Sequence, residues 1–404
     1  MALNLEEIYV DLHQNPELSF QEFRTAGIVA GHLEDLGYEV HTEIGQTGVV
    51  GVLFNGDGPT VLLRADMDGL PVLEETGLDY ASEARGTDRA GNDVPVMHAC
   101  GHDVHVTALL GAAEELAETT NEWSGTVIAL FQPAEEEGGG AQAMVDDGLY
   151  DIVPTPDVVL GQHVGPLPAG LVGLHAGVTM AAADSIGITM HGVGGHGSRP
   201  ETTVDPVLMT ATLAVRLQQI VSREVGPLEQ AVVTVGQIHG GTKNNIIPAK
   251  ASLGLSVRTF NRDVRSRVIG AIERIANAEA EAAGAVRAPE IEYQESFPLT
   301  VNDPDATERA RTALTEVLGA DNVIDSGVVS GSEDVGVLAD AVGAPLVYWF
   351  IGGSDHSLFV GADFTQGFPT DIASNHSPLF APVIEPTLSA GVRALVTAAR
   401  EWLA

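Results

Sequence analysis

Four short apolar runs, Val49–Phe54, Thr60–Ala65, Thr126–Phe131 and Asp157–Leu160, constrain this chain most. Each is too short for a helix and is set off from the next by helical or turn-rich segments. Continuous apolar runs of this length suit strands buried on both faces, as in a largely parallel sheet with helices packed on either side. Helical spacing at Leu5–Leu12 and Phe20–Gly37, the second stopped at Gly37, supplies two such helices. Polar residues gather where the runs stop. Thr60–Ala65 leads into Asp66-Met67-Asp68, and Thr126–Phe131 into Gln132-Pro133-Ala134-Glu135-Glu136-Glu137. Asp157–Leu160 leads into Gly161-Gln162-His163. In open α/β sheets ligands collect beyond the carboxyl ends of strands, so these groups can converge on one site.

Near Ala181 the pattern changes. Ser185–Gly192 alternates as a strand, Pro206–Val221 has helical period, and Gln230–Gly236 and Lys250–Arg258 are strands. Val264–Ala283 is a long helix and Glu290–Tyr293 a short strand. The order βαββαβ predicts a ferredoxin-like unit with antiparallel pairing. Helices at Asp305–Leu318 and Pro386–Leu403, with a strand at Leu346–Phe350, then resume the first pattern. The expected fold is α/β: a mainly parallel-sheet catalytic domain, 1–180 and 294–404, with an inserted α+β lid or dimerisation domain at 181–293.

Chemistry enters at Met97-His98-Ala99-Cys100-Gly101-His102-Asp103. Cys100 is the only cysteine, so an intrachain disulfide is excluded by counting. A helix at Val104–Leu116, N-capped by Asp103, would place the thiol at the positive end of a helix dipole and favour thiolate. Four further residues share the character of metal ligands: His102, Glu136, His163 and His376, the last in Asn375-His376-Ser377-Pro378. Sulfur, imidazole and carboxylate together suit Zn²⁺, Mn²⁺, Co²⁺ or Ni²⁺. Five donors exceed the three usual at one catalytic zinc and fit two divalent ions about 3.5–4 Å apart. Glu135 and Glu136 are adjacent, so one can ligate while the other serves as a base.

Asp plus Glu number 56 against 19 Lys plus Arg, a net charge of -37 spread along all 404 residues. Such a surface repels nucleic acid and anionic membranes and needs abundant cations to screen it, as in the molar-salt cytosol of a halophile. The N-terminus has no signal-peptide character, and no apolar run approaches a membrane span, so a cytoplasmic protein is expected.

The runs Leu12–Ser19, Arg64–Pro71, Met97–Asp103, Gln132–Glu137 and Gly161–His163 resemble the M20 metallopeptidases. They are most similar to the amidohydrolase branch, with its hippurate hydrolases, auxin-conjugate hydrolases and N-acyl-amino-acid amidohydrolases. Gly240–Thr242, Asn245–Pro248, Val257–Phe260, Ser332–Asp334 and His376–Pro378 extend the likeness over nearly the whole chain. It implies hydrolysis of the amide in an N-acyl amino acid, with two divalent ions held by Cys100, His102, Glu136, His163 and His376. Glu135 would be the general base, Asp68 would orient a ligand, and His196 would reach the oxyanion from the lid. Asn245 and Arg258 would bind the substrate carboxylate. The resemblance also allows a homodimer or homotetramer through the lid. Asp66 stands where M20 peptidases usually carry a histidine ligand, which makes an aminopeptidase or carboxypeptidase the weaker enzyme reading. An inactive metal-binding relative would lack a base or ligand, and none is missing here. His356, within the long stretch Gly352–Ala373, competes with His376, while His13, His98 and His105 are expected to pack or support.

Overall fold

Strands buried on both faces occupy the centre of the larger of two compact units. A computed structural model describes residues 3–361, 369 and 372–403. Two helices, α1 (Leu5–Gln14) and α2 (Phe23–Asp35), precede strands β1 (Glu39–Ile44), β2 (Gly48–Asn55) and β3 (Thr60–Asp66). Helix α3 (His102–Glu118) leads to β4 (Gly125–Gln132), then β5 (Val158–Pro168) and β6 (Val172–Leu174). Next come β7 (Ala182–His191), α4 (Pro206–Leu217), β8 (Ala231–Gly240), β9 (Lys250–Thr259), α5 (Arg262–Ala282) and β10 (Glu290–Phe297). The chain closes with α6 (Pro304–Leu318), β11 (Val323–Asp325), β12 (Leu346–Ser354) and α7 (Ile384–Leu403).

The first unit comprises Met1–Thr179, Val301–Val328 and Asp334–Ala404. Its eight strands run in the order β1-β2-β4-β3-β5-β12-β6-β11. The inner four, β4, β3, β5 and β12, are parallel; β1, β2 and β4 pair antiparallel on one side, and on the other β6 joins β12 antiparallel and β11 runs parallel to β6. All seven residues of β3 and all eight of β4 are buried, which is why their sequences are near-continuous apolar runs. Leu109, Val127, Trp349 and Leu395 belong to the core between this sheet and its helices. At about 25 cal/mol per Å² of apolar surface, burial on this scale is what holds the sheet together.

The second unit comprises Met180–Thr300 and Val329–Glu333. Its antiparallel sheet has the order β8-β9-β7-β10, the ferredoxin-like arrangement that the βαββαβ pattern predicts. Helices α4 and α5 share a core with the sheet, built from Ile186, Leu213, Leu255, Val257, Val268 and Ile272. Asp205 starts α4 by accepting from the amides of Val207 and Leu208, and Asn261 starts α5 in the same way. Along β9, Leu253, Leu255 and Val257 are buried while Ser252, Gly254, Ser256 and Arg258 alternate with them on the opposite face.

Two boundaries differ from the sequence expectation in a way that matters for chemistry. β5 continues to Pro168, so His163 lies within a strand rather than beyond its end, pairing in register with Phe350 of β12. Helix α3 begins at His102, and Gly101, not Asp103, occupies the cap position. Of the stretch Gly352–Ala373, residues 362–368, 370 and 371 lie outside the described residues.

Candidate metal centre

Strand ends, one strand interior and the start of α3 bring the donors together. Gly101 sits between Cys100 and His102 with φ +81, and a Cβ there would lie 2.3 Å from Val164 Cγ1. Only glycine lets the chain turn there so close to β5. Cys100 Sγ stands 3.5 Å from His163 Nε2. His102 Nε2 is 3.9 Å from Glu136 Oε1, and His376 Nε2 is 3.4 Å from Glu136 Oε2. Among these five residues two groups of three donors form, Cys100/His102/His163 and Cys100/Glu136/His376, each with ligand atoms within 4.8 Å of one another; His102 and Glu136 also form such a group with Glu135. The first two groups share the Cys100 sulfur.

Hydrogen bonds fix which ring nitrogens can ligate. His163 Nδ1 donates to the Val164 carbonyl at 2.8 Å, leaving its Nε2 lone pair toward Cys100. His102 Nδ1 pairs with Asp68 Oδ1 at 3.2 Å, so its Nε2 is the nitrogen left to face a metal ion. His102 Nε2 and Glu136 Oε1 are both buried without a hydrogen-bond partner among the described residues. Orphaned atoms of this kind are costly unless a cation satisfies them, so the donor set fits divalent metal.

The electrostatics agree. Burial disfavours an imidazolium at His102, but Asp66, Asp68 and Glu136 outweigh it and push the ring up to about 10. The pocket therefore attracts positive charge. For the Cys100 thiol the direction is opposite to that expected from the helix dipole. Burial, then the carboxylates of Glu136, Glu135 and Asp66, push it well above the ordinary value. A helix end cannot offset three nearby carboxylates; a bound cation can.

Asp66 and His105 are close to His102 but are already committed. Asp66 Oδ2 accepts from Arg64 Nη1 at 2.7 Å and Oδ1 from His105 Nδ1 at 2.5 Å, while His105 Nε2 accepts from Val164 N at 2.8 Å. Arg64 is 1 % exposed and also donates to Gln132 Oε1, and Gln132 in turn donates to Asp334 Oδ1 at 2.6 Å. This network beneath the donors is absent from the sequence reading. Its visible trace is Arg64 itself, a charge inside an apolar run. Asn375 Nδ2 donates to the carbonyls of Cys100 and Val164 and carries the His376 segment, whose His376 N bonds to Ala99 O at 2.7 Å. His356 Nε2 instead donates to the Ala169 carbonyl.

Glu135 is 4 % exposed. It follows Ala134, which has φ +48 and ψ +44, a left-handed conformation costing an alanine roughly 1–2 kcal/mol. Asp68 accepts from the amides of Glu135 and Glu136 and from the Ser19 hydroxyl, besides facing His102.

In the second unit, His196 and Asn245 share a small ladder: His196 pairs with Ile246, and Gly197 N donates to Asn245 O at 2.9 Å. Ser198 N donates to His196 Nδ1 at 3.1 Å, which puts the proton of a neutral ring on Nε2 and makes that atom a donor. Arg258 Nη1 is held by Ser330 O at 2.7 Å and Ser332 Oγ at 3.0 Å, and no carboxylate pairs with it among the described residues.

Comparison with known proteins gives the family. Peptidase family M20/M25/M40 matches residues 62–363, and the chain belongs to that family. It is 40% identical over 340 residues to a hippurate hydrolase of Campylobacter jejuni, covering 83% of this chain and 85% of the relative. It is 38% identical over 347 residues to thermostable carboxypeptidase 2 of Saccharolobus solfataricus, covering 84% of each. Among solved structures, Bacillus subtilis YxeP, described as a dinuclear metal-binding peptidase of the M20 family, superposes with a TM-score of 0.77 at 29% identity. That match covers 99% of this chain and 97% of the other.

Proposed function

We propose that the protein is a metal-dependent amidohydrolase that cleaves the amide bond of N-acyl amino acids. The observation that carries the reading is the convergence of Cys100, His102, Glu136, His163 and His376 beside a buried Glu135. When held by those five residues, two divalent ions would supply Lewis acidity, polarising the scissile carbonyl and lowering the pKa of a water; Zn, Mn, Co and Ni all suit the donors. Glu135 takes the proton of the attacking water and returns it to the leaving amine nitrogen. Asp68 holds His102 by its Nδ1–H, which keeps Nε2 available. His196, from this chain or from a second copy paired through the lid, donates Nε2–H to the oxyanion. Asn245 and Arg258 take the carboxylate of the amino acid. An arginine tied, among the described residues, only to neutral oxygens in a chain with 56 acidic residues keeps its charge for an anionic substrate.

Identity to the Saccharolobus enzyme supports a second reading, a carboxypeptidase, since both reactions release an amine from an amide carrying a free carboxylate. Acetyl-, benzoyl- and longer acyl-amino acids assayed against unblocked peptides, with and without chelator, separate the two. Preferential turnover of the acyl-amino acids, lost on chelation and restored by metal, is expected. Preference for peptides would favour the carboxypeptidase, and turnover insensitive to chelator would overturn both.

The same proposal includes a high-salt cytoplasm. The net charge of -37 and the single free cysteine support it, and no helix among the described residues is long and apolar enough to cross a membrane. In dilute buffer the Debye length grows from ~8 Å to ~30 Å, so carboxylates repel across much of the surface. The thermal midpoint and hydrolysis rate should therefore climb from dilute buffer to molar KCl. Equal stability and activity at both ends would remove the halophile reading alone.

A further inference from the structure

Three consecutive backbone amides at the base, those of Ala134, Glu135 and Glu136, are each held by a carboxylate from elsewhere in the chain. Asp68 accepts two of them, from Glu135 N to Oδ1 and from Glu136 N to Oδ2, each at 3.1 Å. The third, Ala134 N, donates to Glu22 Oε1 at 2.8 Å across 112 residues of sequence. Glu22 is fully buried. The same Oε1 accepts from Phe20 N at 3.0 Å, and Oε2 accepts from the Thr47 hydroxyl at 2.5 Å. No cation pairs with Glu22 among the described residues, and burial with the nearby Asp68 charge pushes its carboxyl up to about 7. A buried, unneutralised carboxylate is an expensive way to start a helix, and the cost is not offset by an N-cap bond: the Glu22 side chain makes none to α2.

Its bonds lead instead to the turn before the base. Ala134 is left-handed, a conformation an L-residue leaves readily unless its amide and carbonyl are held. Here the amide is held by Glu22, and the carbonyl accepts from Gly140 N at 3.2 Å. Rotation at Ala134 would swing the next residue, Glu135, by its whole side-chain length. We propose that Glu22 is a positioning residue for the hydrolytic reaction: by accepting the Ala134 amide proton it locks the left-handed turn that aims Glu135. The inference rests on Glu135 being the base.

The test uses the full-length, metal-loaded protein and the variants Glu22→Asp, Glu22→Gln, Thr47→Val and Glu135→Gln, reading kcat, KM and metal per chain. Aspartate keeps the charge and shortens the reach by one methylene; glutamine keeps the acceptor at full reach without the charge. Since a misplacement of ~1 Å can cost up to ~10²-fold, Glu22→Asp should lower kcat about tenfold or more, with KM and metal content within about twofold of wild type. Glu22→Gln should stay within about threefold, and Thr47→Val, which loses the hydroxyl that aims Oε2, should fall between them. Wild-type kcat in Glu22→Asp overturns the inference, as does a Glu22→Gln loss equal to that of aspartate or a metal content falling in step with kcat. Should Glu22→Asp not fold, wild-type kcat in Thr47→Val overturns it. An active Glu135→Gln would remove the base assignment itself. An inactive Glu135→Gln beside a fully active Glu22→Asp would remove only the role of Glu22.

Discussion

The donor cluster of the first unit and the polar residues of the second are built in opposite ways. Cys100, His102 and His163 are buried while His376 is exposed, and beneath them buried side chains are each tied to a partner that is itself tied, as in the chain Asp334–Gln132–Arg64–Asp66–His105. His196 and Asn245 are exposed on a two-residue ladder, and Arg258 is half-buried at the end of a strand. Over-determined, desolvated groups hold positions to fractions of an ångström and make charge interactions strong. Exposed groups on a thin ladder keep the freedom to adapt. The difference suits the roles proposed above: metal and base in the first region, contacts to the oxyanion and the substrate carboxylate in the second.

The largest expected effect falls in the rigid region. Glu135→Gln should lower kcat ~10²–10⁴-fold while bound metal stays near wild type, because the base is lost and no ligand is. Metal analysis beside steady-state kinetics checks this, and joint loss of metal would make Glu135 a ligand and blur its division of labour with Glu136. In the adaptable region the effect should be smaller and of another kind. Arg258→Lys keeps the charge but loses the planar fork, so KM for acyl-amino acids should rise about tenfold with kcat nearly unchanged. A kcat loss without a KM change would place Arg258 with the reacting groups and break the comparison.

A further effect, on stability rather than turnover, concerns the support beneath the rigid region. His13 is buried between Asp103 Oδ2 at 2.6 Å and Glu74 Oε1 at 3.1 Å. Burial opposes its charge, but the two carboxylates outweigh it and raise the ring to about 10. The folded state thus holds a proton that the unfolded chain releases near 6.5. The resulting stabilisation is complete below about 6.5 and is lost as pH rises through about 10, at ~1.4 kcal/mol per pH unit at most. Denaturant unfolding from pH 6 to 10.5 should show that decline in wild type and a flatter profile in His13→Asn. Identical slopes would mean that His13 is neutral in the folded protein.

Much of this was legible in the sequence, and for local reasons. Apolar runs of strand length announce buried strands, and the polar residues after Ala65 and Phe131 announce a site at their ends. The βαββαβ order specifies the ferredoxin-like unit because each element carries its own period, and Asp205 and Asn261 their own caps. What the sequence could not decide depends on partners far along the chain. His102 and His105 lie on one helix, yet Asp68 engages only one nitrogen of the first, while Asp66 and Val164 consume both nitrogens of the second. Cys100 looked like a thiolate at a helix start until folding surrounded it with Glu135, Glu136 and Asp66. Nothing in the sequence sets Glu22 apart, and only the fold brings it to Ala134. Secondary structure and motif are set by neighbours within a few residues. Protonation, ligation and aim are set by burial and by hydrogen bonds spanning 30 to more than 100 residues, and these exist only once the sheet has closed around them.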